Sequence, residues 1–369
     1  MNGSSLLTNT MVILTPGSNK MTPAQIPELN NKQVSSDQIQ TEKVNCPLCG
    51  SIPCETLFIG RDMLHGTAGE WPVVRCRNCS LVYTNPRPTI ESLSLVYPRD
   101  YSRYRPPRPT KKSIRWRLQQ WALSHHWNYP PHKSSLFGKI SSWPFFLWTK
   151  YKRRNLDLFP WVGQGKLLDF GCGSGKYLQR MNQRGWQVTG MDISEQAVDV
   201  CRQLGYEAYV GTEPAQKFPA KSFDVVTLWH VLEHVPQPIN ILQQIHTILT
   251  ENGQLILALP NIASPLARWF GKYWFAWELP RHLAHFDPDT ITKMLEMTGF
   301  RVDKIFNQKY GQTVQTSCTY LVRDTGKIQY RILSKSKRLS YLVDILSQYR
   351  GQGGIMIIHA RKSSKKTEI

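Results

Sequence analysis

Two groups of residues in this chain have the types and spacing to do chemistry. The first is the segment LLDFGCGSGK at residues 167–176, in which Asp169 precedes three glycines on alternate positions. Glycines let a backbone turn sharply and approach a ligand without a Cβ in the way, and a helix beginning there offers its amide groups. Asp192 stands 21 residues after Gly171, at the predicted end of the next strand, where a carboxylate can accept hydrogen bonds from ribose hydroxyls. The pattern therefore predicts a nucleoside-binding loop.

The second group is four of the eight cysteines. They form two C-x2-C pairs separated by 26 residues. Four thiolates on two tight turns can surround a tetrahedral zinc ion, as in a zinc ribbon. Disulfides or a redox pair are the alternatives, but neither pair opens the helix of a thioredoxin-like unit. We therefore expect Zn²⁺ at Cys46, Cys49, Cys76 and Cys79.

The acid before the glycines distinguishes two kinds of nucleoside ligand. A dinucleotide-binding loop usually reads G-x-G-x-x-G after a neutral strand end, and a carboxylate beside a pyrophosphate would be repelled. Asp169 instead suits a ligand that carries a positive amino group and a sulfonium. S-adenosylmethionine (SAM) has both, so we expect SAM as the cofactor.

With these residues in place, the chain resembles the class I SAM-dependent methyltransferases. The matching motifs are LLDFGCGSG, VTGMDIS, FDVVTLWHVLEHV and GQLILALPN, which follow one another in the proper order between residues 166 and 361. The resemblance implies an α/β fold with the Rossmann-like, seven-stranded sheet of that class. CPLCGS, CRNCSLVYTNPRP and ELPRHLAHF resemble a subgroup that carries an N-terminal zinc ribbon.

The resemblance also implies roles for individual residues. Asp192 would hold the ribose of SAM, and Ile193 would lie against its adenine. The methionine half of SAM would be lined by Asp169, Gly171, Cys172, Gly173 and Gly175. Many relatives place an acid directly after strand three to bind the adenine amino group. This chain has Gly211 and Thr212 there, with Glu213 one step later.

Methyl transfer from a sulfonium is an in-line displacement, so the enzyme mainly aligns donor and acceptor. A base is needed only if the acceptor must lose a proton. Candidate bases should lie at the carboxyl ends of strands four and five, where open α/β sheets bind ligands. His282 and His230 occupy those positions and have a suitable side chain; the alternative is that they hydrogen-bond loops. The neighbouring Trp274 and Trp277 belong either to a lid or to the core.

Length and composition predict five regions in the 369 residues. They are a disordered leader (1–42), a zinc-ribbon module (43–90), a basic aromatic linker or helical segment (91–160), a SAM-dependent methyltransferase domain (161–362) and a basic tail (363–369). The net charge of +20 is concentrated, with +13 between residues 99 and 154 and +8 between 323 and 369. Such segments fit nucleic acid, an anionic membrane or a phosphorylated substrate.

Part of the basic segment has helical spacing of its apolar residues. Ile114, Leu118 and Trp121 form a stripe that would pack on the main domain or lie on a membrane surface. No apolar run reaches the roughly 18 residues of a membrane span. Unpaired thiols without a secretory signal favour a cytoplasmic location, with membrane association as an open alternative.

These observations predict a SAM-dependent methyltransferase. Its acceptor would be a small molecule, a sugar, or a polysaccharide- or lipid-linked group, a class implied by the resemblance only. An RNA methyltransferase and a non-catalytic adaptor with the same fold are the alternatives. Two observations argue against RNA. Enzymes that methylate purine amino groups carry an acid or Asn followed by two prolines after strand four, and this motif is absent here. Residues 223–286 also contain no cysteine, which is the usual nucleophile for methylation of pyrimidine carbon 5. No particular oligomeric state is indicated.

Overall fold

The computed structural model describes residues 39–97, 106–107, 112–131, 135–151, 158–308, 311–347 and 353–363. Most of the predicted leader, nearly all of the predicted tail and part of the basic segment lie outside these ranges. The described residues all belong to one compact unit. None of its described helices has the length and apolar composition to span a membrane.

Strands and helices alternate through most of the described chain. The strands are β1 (Thr41–Glu42), β2 (Cys54–Gly60), β3 (Trp71–Cys76), β4 (Val82–Thr84), β5 (Arg87–Pro88), β6 (Lys166–Phe170), β7 (Gln187–Asp192), β8 (Glu207–Val210), β9 (Phe223–Trp229), β10 (Leu249–Pro260), β11 (Ala284–His285), β12 (Phe300–Gln308) and β13 (Ile355–Lys362). The helices are α1 (Ile114–His126), α2 (Leu136–Tyr151), α3 (Lys176–Asn182), α4 (Glu195–Gln203), α5 (Pro214–Lys217), α6 (Pro238–Ile248), α7 (Pro265–Phe270), α8 (Pro288–Met297), α9 (Gln312–Thr325), α10 (Arg331–Lys335) and α11 (Lys337–Ser347).

Seven strands form the main sheet, in the order β12-β13-β10-β9-β6-β7-β8. β6 pairs in parallel with β7 on one side and with β9 on the other, so the strand order reverses direction at β6. This confirms the predicted seven-stranded, Rossmann-like sheet. The sheet is not entirely parallel, because β13 runs antiparallel to both β10 and β12. Ligands of open α/β sheets bind at the carboxyl ends of the strands where the order reverses, here beside β6 and β9.

The helix predicted around Ile114 exists, but its buried face is not the predicted stripe. Ile114 is 68% exposed, whereas Ala122 and Leu123 are fully buried. Leu123 packs in one cluster with Trp186 and other aromatic residues under the sheet. The side of α1 that carries Ala122 and Leu123 is buried, because α1 packs against both α2 and this cluster.

The cysteine-containing module is tied to the main domain. Its sheet has the order β11-β4-β3-β2, so its edge strand β11 comes from the segment that follows β10 by more than 20 residues. Cys46 and Cys76 lie in the same hydrophobic cluster as Leu228 of β9 and Phe286 next to β11. The module and the carboxyl ends of the main strands therefore share a core.

Candidate functional site

The predicted nucleoside-binding loop connects β6 to α3. Gly171 has a φ of +80°, and its N–H donates a 2.7 Å hydrogen bond to the carbonyl O of Met191 at the end of β7. A Cβ built on Gly171 would lie 2.3 Å from Cγ2 of Val231, which follows β9. Gly175 also has a positive φ and begins α3. Only glycine fits Gly171, because both its backbone angle and the space around it exclude a side chain.

Asp169 is the first acid of the site and is almost fully buried at the end of β6. The hydroxyl of Thr227 on β9 donates a 2.7 Å hydrogen bond to Oδ1 of Asp169. Burial raises the pKa of Asp169 to about 7; the Thr227 hydrogen bond opposes this shift, and the charge of Asp192 adds to it. A buried carboxylate of this kind is stabilised by a cationic group placed against it.

Asp192 is the second acid and ends β7 as predicted. Its Oδ2 accepts a 2.9 Å hydrogen bond from the N–H of Gly173, and its Oδ1 accepts one of 2.9 Å from the N–H of Ser194. Burial raises the pKa of Asp192, against the effect of these hydrogen bonds. The side chain thus links the glycine loop to the start of α4. Ile193, beside it, is 73% exposed and offers an apolar surface to solvent.

The Cys172 side chain turns away from the loop. Its Sγ lies 3.7 Å from Sγ of Cys201 in a small buried cluster between β7 and α4. The hydrogen bond with the Cys201 thiol raises the pKa of Cys172, and burial adds to this shift. Cys172 therefore contributes its backbone to the surface of the glycine loop, while its thiol is buried on the other side. Glu213, which lies one step after the position where many relatives place an acid, accepts hydrogen bonds from Gln216 and Gln244.

The two candidate bases lie on either side of Glu233. His230 follows β9, keeps about a third of its side chain exposed, and places Nδ1 3.3 Å from Oε1 of Glu233. His282 is buried, with Nδ1 2.9 Å from the carbonyl O of Ala276. The structure thus brings both histidines to the carboxyl ends of the strands. Trp274 and Trp277 are buried in a hydrophobic cluster and belong to the core.

A buried ion pair supports the loop that carries His282. Both NH groups of the Arg281 guanidinium donate to Asp62, at 2.8 and 2.9 Å, and neither side chain is exposed. Burial alone would raise the pKa of Asp62, but its hydrogen bonds and charge interaction with Arg281 hold that pKa well below its usual range. Glu278 lies 3.6 Å from Nε of the same arginine. Sequence patterns do not indicate this pair, because 219 residues separate its partners.

His285 is held by the cysteine-containing module. Its Nε2 lies 3.4 Å from the Thr84 hydroxyl, and that hydroxyl donates a 2.9 Å hydrogen bond to the carbonyl O of His282. Burial lowers the pKa of His285 well below the usual value, and the nearby His282 adds to the shift. His285 is therefore a neutral, structural residue at ordinary pH.

The four predicted zinc ligands come together. Their Sγ atoms all lie within 4.8 Å of one another, with Cys46 3.4 Å from Cys79 and Cys49 3.5 Å from Cys76. Each C-x2-C pair sits on a tight turn closed by backbone hydrogen bonds, such as Gly50 N–H to Cys46 O. None of the four is in a disulfide. The set fits a tetrahedral ion bound by thiolates.

A cavity of about 930 Å³ opens beside the Asp62–Arg281 pair. Asp62 lines it together with the cationic side chains of Arg61, Lys272 and Arg323. Its size is typical of small-molecule sites. Sequence patterns do not predict it, since it joins the β2–β3 connection to α9.

The seven-stranded sheet with its glycine loop defines a Rossmann-like α/β domain with a candidate ligand site at the ends of β6, β7 and β9. Residues 142–305 match the family model described as a methyltransferase domain. The chain therefore contains a segment that matches a methyltransferase domain.

The matches to individual relatives extend over only part of each protein. The chain is 36% identical to the ubiquinone biosynthesis O-methyltransferase of Pseudomonas aeruginosa over 104 residues, which make up 26% of this chain and 44% of that protein. It is 27% identical to the enzyme of the same name from Aeromonas salmonicida over 194 residues, 49% of this chain and 73% of that protein. A SAM-dependent methyltransferase structure from Archaeoglobus fulgidus matches with 22% identity and a TM-score of 0.40, covering 59% of this chain and 94% of that one. The chain thus spans less than half of the first of these relatives.

Proposed function

We propose that this protein transfers a methyl group from SAM to a small-molecule acceptor. The observation that carries the proposal is the pair of buried carboxylates, Asp169 and Asp192, beside a glycine loop in which Gly171 leaves no room for a side chain. SAM supplies a methyl group on a positively charged sulfur, which leaves as a neutral thioether. Asp169 fits the amino group of that molecule, Asp192 its ribose and Ile193 its adenine.

The acceptor proposal draws on the relatives. Those of Pseudomonas aeruginosa and Aeromonas salmonicida are named as O-methyltransferases of ubiquinone biosynthesis. Sugars and polysaccharide- or lipid-linked groups belong to the same proposal. Acceptance by RNA and a purely non-catalytic role remain hypotheses that no comparison supports.

For an acceptor that must lose a proton, we assign the base to His230. Its imidazole stays partly exposed after β9, and Oε1 of Glu233 lies close enough to orient it. His282, the other candidate, is buried with Nδ1 held by a carbonyl. In the reaction, an acceptor lone pair forms the new bond to the methyl carbon, the electrons of the carbon–sulfur bond return to sulfur, and His230 takes the acceptor proton.

The direct test is incubation with SAM labelled on its methyl group and with fractionated small molecules and lipids from cell extract. We expect label in a low-molecular-weight or lipid fraction, and none with Asp192→Ala. The matched control is Asp199→Ala, which removes an exposed carboxylate from α4. Labelling of RNA alone, or no SAM binding by calorimetry, would contradict the proposal.

We also propose that Cys46, Cys49, Cys76 and Cys79 bind one Zn²⁺. The support is the close approach of four sulfur atoms on two turns. The ion would hold the two turns together at the base of β3 and β4. Metal analysis of purified protein should find this zinc in the native chain and not in Cys76→Ser, whereas Cys318→Ser, at a buried cysteine of α9, should retain it. Equal zinc in all three proteins would exclude the ribbon.

A third proposal concerns contact with an anionic membrane surface through α1 and α2. The exposed apolar side chains of these helices are Ile114, Leu136, Phe137, Ile140, Trp143 and Trp148. The exposed cations Lys112, Arg115 and Arg117 lie on α1 or just before it. Apolar side chains next to cations are typical of helices that lie in the interface of anionic lipid.

Sedimentation with vesicles tests this contact. The protein should pellet with vesicles that contain phosphatidylglycerol and not with pure phosphatidylcholine, and Phe137→Ser with Ile140→Ser should abolish the difference. Ile52→Ser is the matched control, since Ile52 is as exposed but lies in the cysteine-containing module. Equal pelleting of the native and double-variant proteins would refute the proposal. A cytoplasmic location remains a prediction.

A further inference from the structure

The cavity beside the Asp62–Arg281 pair is lined by more positive than negative charge. Asp62 faces the cavity, but its charge is matched by Arg281, and neither of these two side chains is exposed. The remaining charged groups of the lining are the cations Arg61, Lys272 and Arg323 and the carboxylate of Asp324. Three cations against one unmatched acid leave two positive charges in excess. A concave surface of one sign concentrates ligands of the opposite sign.

The carboxylate of Asp324 is shared between the two arginines of the cavity. Its Oδ2 lies 2.6 Å from Nη2 of Arg61, and its Oδ1 lies 3.3 Å from Nε of Arg323. A guanidinium has more N–H donors than such a single contact uses. Both arginine side chains are also more than half exposed, whereas the side chain of Asp324 is 14% exposed. Donors of both arginines are therefore open to a ligand in the cavity.

Two of the cations are held in place by neutral groups. The Cζ atom of Arg323 lies 5.3 Å from the centre of the buried Tyr320 ring, and its Nη1 donates a 3.3 Å hydrogen bond to the carbonyl O of Met63. The Nζ atom of Lys272 lies 5.5 Å from the centre of the Tyr273 ring and forms no ion pair with a described residue. Cations that are positioned before a ligand arrives lose less entropy when they bind it.

The connection between β2 and β3 forms a fixed part of the lining. Oδ1 of Asp62 accepts hydrogen bonds of 2.9 Å from the N–H groups of Leu64 and His65. Its Oδ2 accepts one of 3.1 Å from the N–H of Thr67. A Cβ built on Gly66, which has a φ of +73°, would meet no atom within 4 Å. The connection is thus closed around the Asp62 carboxylate and stays open to the cavity at Gly66.

We propose that this cavity binds the phosphate group of a small organic molecule. A phosphate monoester carries close to two negative charges at neutral pH, which matches the excess of positive charge in the lining. Its oxygens also fit the planar donor fork of a guanidinium. The cavity volume of about 930 Å³ leaves room for an organic part beside the Tyr273 ring. The existence of this site does not depend on the proposed methyl transfer.

Calorimetry with phenyl phosphate tests the proposal on the full-length, reduced protein at pH 8. We expect saturable binding to one site per chain, with a Kd that rises when the salt concentration is raised. Benzoate has the same ring and a single negative charge, so it should bind more weakly; inorganic phosphate should also bind more weakly, because it lacks the organic part. No saturation at millimolar phenyl phosphate, or a Kd equal to that of benzoate, would overturn the inference. A Kd equal to that of inorganic phosphate would contradict an organic ligand.

Variants at the Arg323–Asp324 pair should change the affinity in opposite directions. Arg323→Gln removes a cation and its donors, so the Kd for phenyl phosphate should rise by about two- to fivefold. Asp324→Asn removes the unmatched acid and releases both arginines, so the Kd should fall by a similar factor. Tighter binding cannot result from a damaged fold, which keeps the second variant informative if the first is unstable.

The matched control is the ion pair between Arg202 and Asp199 on α4. Its atoms lie 3.3 Å apart, as do those of Arg323 and Asp324, and Arg202 is as exposed as Arg323. Arg202→Gln and Asp199→Asn should leave the Kd for phenyl phosphate unchanged. If these variants shift the Kd as much as those at Arg323 and Asp324, the binding reflects the net charge of the chain and the inference is wrong.

SAM calorimetry on the same proteins separates this site from the proposed function. Lys272→Gln should weaken phenyl phosphate binding and leave the Kd for SAM unchanged. Phenyl phosphate binding that is unchanged in Arg323→Gln, Asp324→Asn and Lys272→Gln would overturn the inference, whatever the result with SAM. A native chain that binds phenyl phosphate at this cavity but does not bind SAM would refute the methyltransferase proposal and support this site.

Discussion

Replacing Asp169 with asparagine tests whether a buried carboxylate at the end of β6 attracts a cationic cofactor. Burial raises the pKa of Asp169 to about 7 in the ligand-free chain. The ammonium group of SAM would favour the ionised carboxylate, so this pKa should fall on binding. Below about pH 7 the binding of SAM must then release the proton from Asp169. The Kd for SAM should therefore rise by up to about tenfold for each unit by which the pH falls. Above that pH the carboxylate is already ionised and the Kd should stay constant.

The Asp169→Asn substitution keeps the size of the side chain and the possibility of a hydrogen bond from Thr227, but it removes the charge. The loss of a hydrogen bond to a charged group costs about 1.5–3 kcal/mol, which corresponds to an increase of about 10- to 150-fold in Kd. Calorimetry at pH 6, 7 and 8 should show this increase at pH 8 and a flat pH dependence for Asp169→Asn. Asp224→Asn is the matched control, because Asp224 is a buried carboxylate at the other end of β9 that binds backbone N–H groups. A Kd at pH 8 equal to that of the native chain would refute the reasoning.

Three further predictions concern the structure around the site. Gly171→Ala should destabilise the fold by about 1–3 kcal/mol because of its left-handed φ and its contact with Val231; thermal melting should show partial recovery when Val231→Ala is added, and no recovery would contradict the steric explanation. Arg281→Met should lower the free energy of unfolding by about 3–5 kcal/mol, since it leaves Asp62 buried without its partner; urea titration measures this, and a loss below about 1 kcal/mol would contradict it. Burial lowers the pKa of His359 to about 4, so the unfolded chain binds more protons between about pH 6.5 and 4 and stability should fall there by up to about 1.4 kcal/mol per unit. Urea midpoints at pH 7, 6 and 5 should drop less steeply in His359→Gln, and parallel slopes would show that His359 does not contribute.

The parts of the fold that follow from local pattern could be predicted from sequence. β9 coincides with the apolar run at the start of the motif FDVVTLWHVLEHV, and Ser194 caps α4 with its side chain accepting a hydrogen bond from the N–H of Ala197. The pattern does not predict α8 or α9. α8 begins with a capping box at Asp287, a recognisable signal, whereas the polar composition of α9 hides its buried face.

The positions of the two acids beside the glycine loop could be predicted for the same reason. Asp169 and Asp192 end successive strands, and parallel strands bring their carboxyl ends together. The supporting pairs were not predictable, because they join distant parts of the chain. The Tyr97 hydroxyl lies 3.0 Å from Nδ1 of His234 across 137 residues, and Asp62 meets Arg281 across 219. No local spacing carries such information.

The cysteine-containing module and the loop that carries His282 form one structural unit, because β11 of that loop belongs to the sheet of the module. Ala284 pairs with Tyr83, and the Thr84 hydroxyl holds the carbonyl of His282. The backbone position of His282 therefore depends on β4, which follows the second cysteine pair by only three residues. An ion bound by the cysteines would thus stabilise the loop that places His282 beside Glu233. In this arrangement a change in the cysteine-containing module should disturb the position of His282 before it disturbs the glycine loop on β6.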